Sequence, residues 1–432
     1  MAMVVKNNMS AISTLNTLNK NSSALSKSLQ KVSSGMKING AADDASGYAI
    51  SERMRVQIRG LDQANQNTQN GSSMMKVAEG AVSSTVDILK TLKEKVINAA
   101  NDTNTDADRQ TIQKELDQSI DQINDNANVT YNGKYLVDGS HNSHVEATTT
   151  SMTNQSLNTG STFDSTFTAL TDRNGNSLNI QTSDTITLSY VKEGKTHTVT
   201  ATGASTITSI LKAGTAANDL KAGEATSVIG KDIAGDTVFT ADGKSGLTIT
   251  AAGTGIENQI SGITFSVTDT KGNVKKSANA LLDNFSESIR AQNPSNDNSI
   301  NLQVGTKSNQ AIKVGLTDMR AEALGLQAKD GTTLNISTKE YANAAINVLD
   351  SAVQKALDQQ TTIGAVQSRL EYTSSNLTTA SENVQSSEST IRDADMAKEM
   401  TNYTKNNVLM QAAQAMLSQA NQSSSSVLSL LQ

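Results

Sequence analysis

From residue 341 to residue 391 the chain reads YANAAINVLDSAVQKALDQQTTIGAVQSRLEYTSSNLTTASENVQSSESTI. An apolar or small side chain recurs in this stretch at every seventh position: Leu349, Ala356, Ile363, Leu370, Leu377, Val384 and Ile391. A heptad kept over this length predicts one long helix whose apolar seam needs a helical partner. At about 1.5 Å per residue the helix would extend roughly 75 Å, which is too long for a compact domain, so the pattern predicts a rod.

Residues 1–130 supply the partner helices. Steps of three and four residues place apolar side chains on one seam at Leu15, Leu18, Leu25, Leu29, Val32 and Met36. A second seam runs from Met75 to Ala99, and a shorter one from Ile112 to Ile123 follows the capping residue Thr105. The N-terminal part is therefore predicted to contain several separate helices.

The C-terminal stretch carries its own stripe of apolar and flexible side chains, which includes Met396, Met400, Met410 and Leu417. No charged residue follows Lys405, and an uncharged end with an apolar stripe is a poor solvated tail. The stripe therefore predicts an assembly surface. Because isolated helices of this length are marginal in water, we expect both ends of the chain to become helical only on assembly.

The middle of the chain, residues 141–298, is rich in Thr, Ser, Gly and Asn and shows strand-like alternation. Turn residues predict hairpins at Glu193-Gly194, between Val238-Phe239 and Leu247, at Lys271-Gly272-Asn273, and at Lys307-Ser308-Asn309. The predicted fold class is a mainly α rod whose discontinuous N- and C-terminal helices form coiled-coil-like layers, with a β-rich central insertion. The class is α+β overall.

Composition argues against an enzyme and against a cofactor. Of 432 residues only 3% are aromatic, and the absence of cysteine excludes disulfides, thiolate metal sites and thiol nucleophiles. His141 and His144 lie in a polar loop without a third ligand, while Asp172, Asn174 and Asn176 and the segment Gly243-Lys244-Ser245 fit turns better than calcium or phosphate loops. We predict no catalytic, cofactor-binding or metal-binding residue.

Charge and hydropathy also argue against nucleic acid and membrane partners. The net charge is -6, and the basic excess in residues 1–60 is not interleaved with aromatic side chains. A solvated helix face explains that excess better than a nucleic-acid surface. No stretch approaches the roughly 20 apolar residues of a membrane span, and the N-terminus lacks the apolar run of a cleavable signal peptide.

Residues 32–54, VSSGMKINGAADDASGYAISERM, resemble the N-terminal signature of bacterial flagellins, which is a helix, a glycine-containing elbow with paired acids, and a second helix. The segments 318–326 (DMRAEALGL) and 391–397 (IRDADMA) resemble the C-terminal signature. The signature residues are Gly35, Asp43, Asp44, Gly47, Arg53, Arg320, Arg392, Asp393 and Asp395. The resemblance covers about residues 1–140 and 299–432, whereas the middle resembles no family that we can name.

The resemblance implies a structural subunit that polymerises with itself into the extracellular flagellar filament used for swimming. It also implies a cytoplasmic export chaperone, the flagellar type III export apparatus, a filament cap protein and a hook–filament junction protein as partners, and secretion without a cleavable signal peptide. The domains implied are inner-tube terminal helices at 1–45 and 392–432, a rod-like helical domain at 46–140 and 299–391 with a β-hairpin at about 299–335, and a variable outer part at 141–298. The alternatives are a hook–filament junction protein and a soluble coiled-coil surface adhesin.

Two positions depart from flagellins that strongly stimulate the flagellin-sensing Toll-like receptor. The receptor surface implied by the resemblance consists of Lys90, Thr91, Glu94, Lys95 and Glu115. The strong stimulators have arginine in place of Thr91 and leucine in place of Lys95, so only weak recognition is expected. A further departure is the run Ser423–Ser426, where the family usually has a proline, and it predicts a less sharply defined end of the last helix.

Overall fold

The structure is a computed structural model that describes residues 8–223, 226–232 and 234–430. Its helices are α1 (Met9–Ser34), α2 (Ala45–Ala99), α3 (Asp106–Ala127), α4 (Ile207–Leu211), α5 (Ala216–Asp219), α6 (Lys276–Leu282), α7 (Ala321–Leu324), α8 (Lys339–Arg392) and α9 (Met396–Leu430). The long helices lie at the two ends of the chain, as the heptad patterns predict. The two ends together therefore supply the helical part of the fold.

Strands occupy the middle of the chain. They are β1 (Thr130–Tyr131), β2 (Lys134–Tyr135), β3 (Ser151–Asn154), β4 (Thr185–Lys192), β5 (Lys195–Thr202), β6 (Leu220–Ala222), β7 (Val228–Lys231), β8 (Thr237–Phe239), β9 (Leu247–Ala251), β10 (Ile260–Thr268), β11 (Phe285–Ile289), β12 (Ile300–Gln303) and β13 (Ala311–Val314). The predicted fold class, mainly α with a β-rich central insertion, is confirmed.

The chain divides into two compact units. The terminal unit contains the described parts of Met1–Thr68, Gln303–Gln310 and Tyr372–Gln432, and the central unit contains those of Gln69–Leu302 and Ala311–Glu371. The divisions fall inside α2 and α8, whereas the domain boundaries expected from the family resemblance lie near 45 and 391. Helices α2 and α8 thus contribute residues to both units.

In the terminal unit, α1 and α9 run antiparallel. The Asn8 side-chain amide donates to the Ala420 carbonyl at 3.1 Å, and the Asn21 amide donates to the Leu409 carbonyl at 3.2 Å. Farther along, Lys31 lies 3.6 Å from Glu399. Because residue numbers rise on one helix as they fall on the other, each helix follows its partner for nearly all of α1.

The terminal unit has a second helical contact, between the parts of α2 and α8 that belong to it. Leu61, Ala64 and Leu377 form a small buried cluster. Polar bonds flank the cluster: the Ser374 hydroxyl donates to Asn65 at 2.7 Å. The contact therefore has a thin apolar core with hydrogen-bonded edges.

The helices of the central unit form a deeper core. Along α2, the residues Met75, Ala78, Val82, Thr85, Leu89, Leu92, Val96 and Ala99 are all no more than 2% exposed. In α3, which starts with a capping box of Thr105 and Asp108, Leu116, Ile120 and Ile123 are equally buried. The residues that the heptad pattern selected are thus the ones that this core removes from water.

The β-rich part of the central unit contains a three-stranded sheet in the order β10-β4-β5 and a four-stranded sheet in the order β11-β3-β9-β6, all antiparallel. Both sheets contribute to one core, in which Phe167, Ile186, Leu188 and Tyr190 are at most 1% exposed. The predicted hairpin at Glu193-Gly194 is confirmed: both residues have positive φ, and β4 pairs with β5.

The other hairpin predictions had mixed outcomes. The pairing of Val238-Phe239 with Leu247 is wrong: β8 pairs with the exposed β7, while β9 lies between β3 and β6. Strand β9 is almost wholly buried and lies inside its sheet, with a neighbouring strand along each edge. The turn at Lys271-Gly272-Asn273 yields only an isolated bridge between Thr268 and Val274, because α6 starts at once afterwards. The turn at Lys307-Ser308-Asn309 does join paired strands, β12 and β13.

Candidate assembly surfaces

The signature residues between α1 and α2 form a tight elbow in the terminal unit. Gly35 ends α1 with φ 71, a left-handed conformation that glycine adopts without strain. Asp44 then accepts a hydrogen bond from the Gly47 backbone at 3.0 Å at the start of α2. A Cβ at Gly47 would lie 2.5 Å from the Asp44 carboxylate and 2.7 Å from Ile38, so a larger residue here would displace the side chain that caps α2.

The elbow is joined to the turn between α8 and α9. The Lys37 backbone donates to the Arg392 carbonyl at 2.7 Å, and the Ala394 backbone donates to the Gly35 carbonyl at 2.9 Å. Asp395 caps α9 by accepting from two backbone N–H groups at 3.0 and 3.2 Å. The two halves of the signature, more than 300 residues apart in the chain, therefore meet in one joint.

Arg392 is the centre of this joint. Its side chain is buried, donates to the Glu52 carboxylate at 2.7 Å and to the Met36 sulfur at 3.3 Å, and lies over the Tyr48 ring at 5.6 Å. The hydrogen bond from Arg392 lowers the pKa of Glu52 below its usual value. A buried guanidinium with these partners fixes the relative orientation of its neighbours within the terminal unit.

The remaining signature residues are exposed or make hydrogen bonds away from Arg392. Asp43 accepts from the Asn39 backbone at 3.1 Å within the elbow. Arg53 and Asp393 are exposed, and Asp393 accepts a hydrogen bond from the side chain of Ser389. In the central unit, Arg320 forms a fork with Asp318, with donor–acceptor distances between 2.6 and 3.0 Å, and this bond raises the pKa of Arg320.

On α1 the predicted seam splits into two faces. Leu18, Leu25, Val32 and Met36 are half-buried, whereas Leu15 and Leu29 are 46% and 51% exposed. Ser28, one residue before Leu29, is buried and accepts from Asn406 of α9 at 3.1 Å. The contact with α9 thus uses polar residues where the pattern suggested leucines, and those leucines face away from it.

Helix α9 shows the same division. Ala413 is buried, and Met410 and Leu417 are half-buried, on the side that pairs with α1. Met400, Val408 and Met416 are 46%, 59% and 61% exposed. A shallow groove is lined by Met400, Thr401, Thr404, Lys405, Val408 and Leu409. The terminal helix pair therefore leaves apolar side chains of both helices in contact with water.

The seam residues of α8 become less buried toward the C-terminal end of the helix. Leu349, Ile363 and Leu370 are fully buried in the central unit. In the terminal unit Leu377 is 9% exposed, and Val384 and Ile391 are only half-buried. One heptad repeat thus supplies fully buried residues to the core of the central unit and less buried residues to the helix contact of the terminal unit.

The residues that the sequence offered as candidate metal ligands do not form a metal site in the described part of the chain. Among residues 8–223, 226–232 and 234–430, no group of three or more His, Cys, Asp or Glu side chains is placed to hold a metal ion. Asp172 closes a turn, since its carboxylate accepts from the Asn174 and Asn176 backbones at 2.9 and 2.7 Å. His141 lies 3.3 Å from the Asn298 carbonyl. None of the helices described here has the length and apolarity that crossing a membrane requires.

The sequence matches known proteins over its whole length. The family described as "Bacterial flagellin N-terminal helical region" matches residues 5–142, and "Bacterial flagellin C-terminal helical region" matches residues 346–431. A flagellin from Clostridium tyrobutyricum is 35% identical over 97% of this chain and 99% of its own length. A flagellin from Bacillus subtilis is 30% identical over 99% of this chain and 100% of its own length.

The chain belongs to the bacterial flagellin family. The "Flagellar filament 33 kDa core protein" of Treponema phagedenis is also similar, at 30% identity over 99% of this chain and 100% of its own. A solved flagellar junction protein, FlgL from Legionella pneumophila, covers 81% of this chain and 100% of its own at 15% identity, but its TM-score of 0.32 is too low to support structural detail.

In this flagellin, the residues of the expected receptor surface lie on α2 and α3 of the central unit. Lys90, Thr91, Glu94 and Glu115 are exposed, whereas Lys95 is half-buried. Lys95 forms an ion pair with Glu115 at 3.0 Å. Two residues of the expected receptor surface, Lys95 and Glu115, are therefore already engaged with each other.

The end of this flagellin also differs from the expected family pattern. Helix α9 continues through Ser425 and Ser426, whose hydroxyls donate to the Gln422 carbonyl at 3.0 and 2.9 Å. Serine allows the helix to run on to Leu430, which a proline at this point would oppose.

Sequence reasoning missed a buried charged cluster in the central unit of this flagellin. Lys355 is 4% exposed and lies 3.3 Å from the Glu287 carboxylate, which in turn lies 3.8 Å from Arg290. Burial lowers the pKa of Lys355. The only available signal was a lysine directly beside the seam residue Ala356, and a lysine in that position is normally solvated.

Proposed function

We propose that this chain is a structural subunit that polymerises with copies of itself into the extracellular bacterial flagellar filament used for swimming. The observation that carries the proposal is the terminal helix pair of a flagellin-family chain. Its outward side presents Met9, Ile12, Leu15, Leu29, Met396, Met400, Val408, Leu409 and Met416, each 42–69% exposed. Side chains of this kind, grouped on one pair of helices, are typical of a protein interaction surface.

The energetics favour assembly through these helices. Moving a fully exposed side chain of this kind from water into an apolar contact gains roughly 1.5–3 kcal/mol, and these side chains, at 42–69% exposed, have about half of that still to gain. Two helices cannot cover each other on all sides, so further burial requires helices of neighbouring copies. Ordering each residue costs about 1–2 kcal/mol, which is offset only when many copies bury these faces together.

We assign regions of the filament accordingly. Residues 1–45 and 392–432 form the inner tube, residues 46–140 and 299–391 form the rod-like domain, and residues 141–298 form the outer part. The exposed apolar groups on α1 and α9 support the first assignment, and the buried seams of α2, α3 and α8 support the second.

The further partners follow from the family. We propose export of the unfolded chain by a cytoplasmic chaperone and the flagellar type III apparatus, attachment to a hook–filament junction protein, and polymerisation under a cap protein. We also propose a structural role without catalysis, which the flagellin family supports.

Recognition by the flagellin-sensing Toll-like receptor is proposed to be weak. Thr91 offers no guanidinium for a bidentate contact, and Lys95 would lose hydration where a leucine would be buried. A reporter-cell assay of purified monomer, compared with a Thr91→Arg, Lys95→Leu double variant, tests this. The double variant should be the stronger stimulator, and equal full potency of the two proteins would refute the proposal.

The filament function is tested by seeded polymerisation of the purified chain, followed by sedimentation and electron microscopy. We expect the wild-type chain to form filaments. A Leu15→Asp, Met416→Asp double variant should fold but not polymerise, because each charge stands on an outward face. Phe239→Asp is the matched control, since Phe239 is 60% exposed on β8, outside the terminal helices, and this variant should polymerise normally. Filament formation by the double variant would contradict the proposal.

A further inference from the structure

The methionines of the described residues fall into distinct exposure classes. Met74, Met75, Met152 and Met319 are buried, with at most 7% of each exposed. Met36, Met54 and Met410 are half-buried. Met9, Met396, Met400 and Met416 are exposed, at 69%, 43%, 46% and 61%. Within residues 8–223, 226–232 and 234–430, every methionine of the exposed class lies on α1 or α9.

The exposed methionines belong to the candidate assembly surface. Met396 and Met400 are four residues apart and therefore neighbours on the surface of α9. Met400 lines the shallow groove together with Val408 and Leu409. Met416 extends the exposed apolar side of α9 into the part of the chain that carries no charged residue. Thioethers are thus concentrated where neighbouring copies are proposed to pack.

We propose that Met9, Met396, Met400 and Met416 form an oxidation-sensitive site that controls assembly: the free subunit is oxidised by peroxide at these thioethers and then cannot polymerise, whereas polymerisation protects them. The inference rests on the proposed filament function. It adds a chemical modification, and a class of oxidant, to the surface that assembly uses.

The reaction is a two-electron oxygen transfer. A sulfur lone pair attacks one oxygen of hydrogen peroxide, the S–O bond forms as the O–O bond breaks, and the departing hydroxide takes up the proton of the transferred oxygen to give water. Methionine becomes methionine sulfoxide, and peroxide is reduced. Accessibility governs which thioethers react, so the exposed class should react before the buried class.

Oxidation should oppose assembly because a sulfoxide is polar and needs a hydrogen-bond donor when it is buried. In the groove beside Met400, the hydroxyls of Thr401 and Thr404 already donate to the carbonyls of Ala397 and Met400 at 2.8 and 2.9 Å, so they are not free to pair with a sulfoxide. Met36 provides a contrast, because its sulfur already accepts from Arg392 at 3.3 Å in the joint. An oxidised α9 would place unpaired polar groups in the contact between copies.

The test exposes purified full-length monomer and preformed polymer to the same dose of hydrogen peroxide and maps sulfoxides by peptide mass spectrometry. We expect the four exposed methionines to oxidise in the monomer, and their oxidation in the polymer to be at least about tenfold slower. Oxidation of the monomer should raise the critical concentration for polymerisation by about tenfold or more. Treatment of the oxidised monomer with methionine sulfoxide reductases should restore polymerisation.

A variant supplies the matched control. Replacing the four residues together, Met9→Leu, Met396→Leu, Met400→Leu and Met416→Leu, keeps apolar side chains of similar volume and removes the sulfur. The critical concentration of the peroxide-treated variant is compared with that of the untreated variant, and we expect peroxide to leave it unchanged. If it fails to polymerise, the reductase experiment on the wild-type chain decides, and a lack of recovery after the sulfoxides are reduced overturns the inference.

The outcomes separate this inference from the proposed function. A wild-type chain that does not polymerise even before treatment overturns the filament proposal and this inference with it. A chain that polymerises equally well before and after sulfoxide has formed at these positions overturns only the inference. Equal oxidation rates in monomer and polymer also overturn it.

Discussion

At the scale of single residues, the joint around Arg392 carries the strongest prediction. Its guanidinium is buried and bonded to Glu52, so Arg392→Ala leaves a cavity and removes a charge-assisted hydrogen bond. We expect a loss of about 1.5–3 kcal/mol in the stability of the terminal unit, since Glu52 is partly exposed and can be hydrated once its partner is removed. The exposed Arg53, replaced by alanine, is the control and should change stability by less than about 0.5 kcal/mol. Hydrogen exchange of the α2 and α8 amides around Leu61 and Leu377, which also belong to the terminal unit, measures this in both variants, and equal effects would refute the role assigned to Arg392.

A second residue-scale prediction concerns pH. Desolvation raises the pKa of Asp283 from 3.8 to about 6, although its carboxylate accepts from Asn347 at 3.1 Å. Because the folded chain binds this proton more tightly than the unfolded chain, the stabilising effect is present below pH 3.8 and is lost as the pH rises to about 6.

The matching variant is Asp283→Asn, which cannot ionise. Relative to wild type it should gain up to about 3 kcal/mol at pH 7 and little at pH 4. Urea unfolding of both proteins at the two pH values measures the difference. A stability difference that does not depend on pH would show that Asp283 titrates normally.

At the scale of elements, the seam of α8 predicts which substitutions the fold resists. Leu377 is buried beside Leu61 and Ala64, whereas the adjacent Thr378 is exposed. Leu377→Asp should lower the stability of the terminal unit by several kcal/mol, since it buries an unpaired charge, and Thr378→Asp should have little effect. Leu370→Asp should act similarly in the central unit, where Leu370 is fully buried. Identical melting temperatures for the Leu377 and Thr378 variants would contradict the seam.

The elements also show what the sequence could and could not reveal. The seven-residue repeat of apolar side chains in α8 was sufficient to predict that Leu349, Ile363 and Leu370 are buried. A heptad repeat places these side chains on one side of the helix, where they pack against other helices. The two faces of α1 were not predictable. Its contact with α9 uses the polar Ser28, so a search for apolar residues selected the outward Leu29 in its place.

The strands illustrate a different limit. The turn at Glu193-Gly194 could be predicted because Gly194 favours the positive φ of a tight hairpin turn and the two strands are adjacent in sequence. Strand β9 pairs with β3, nearly 100 residues earlier, and no local signal encodes such a partner. The buried Lys355 was missed for a related reason: its partner Glu287 comes from a distant strand.

At the scale of the whole molecule, we predict that the outer part is dispensable for polymerisation. The two chain segments at the ends of residues 146–298 run side by side: the backbones of Val145 and Ser295 exchange two hydrogen bonds of 3.0 Å, and the Asn298 backbone donates to the Asn142 carbonyl at 3.1 Å. A short linker can therefore join Val145 to Ser299 when residues 146–298 are removed. The deleted segment lies outside the helices that carry the proposed assembly surface. A variant with a Gly/Ser linker in its place should form filaments visible by electron microscopy. If it forms none while α2, α3 and α8 remain folded, the contacts have been assigned to the wrong region.

The central claim is that α1 and α9 are completed by neighbouring copies in the polymer. Hydrogen–deuterium exchange of monomer and polymer at equal protein concentration tests it most directly. We predict that amides of α1 and α9 exchange rapidly in the monomer and at least about a hundredfold more slowly in the polymer, because assembly covers their exposed apolar side. Amides of Met75–Ala99 should be protected equally in both. Terminal helices that are as well protected in the monomer as in the polymer would contradict the account.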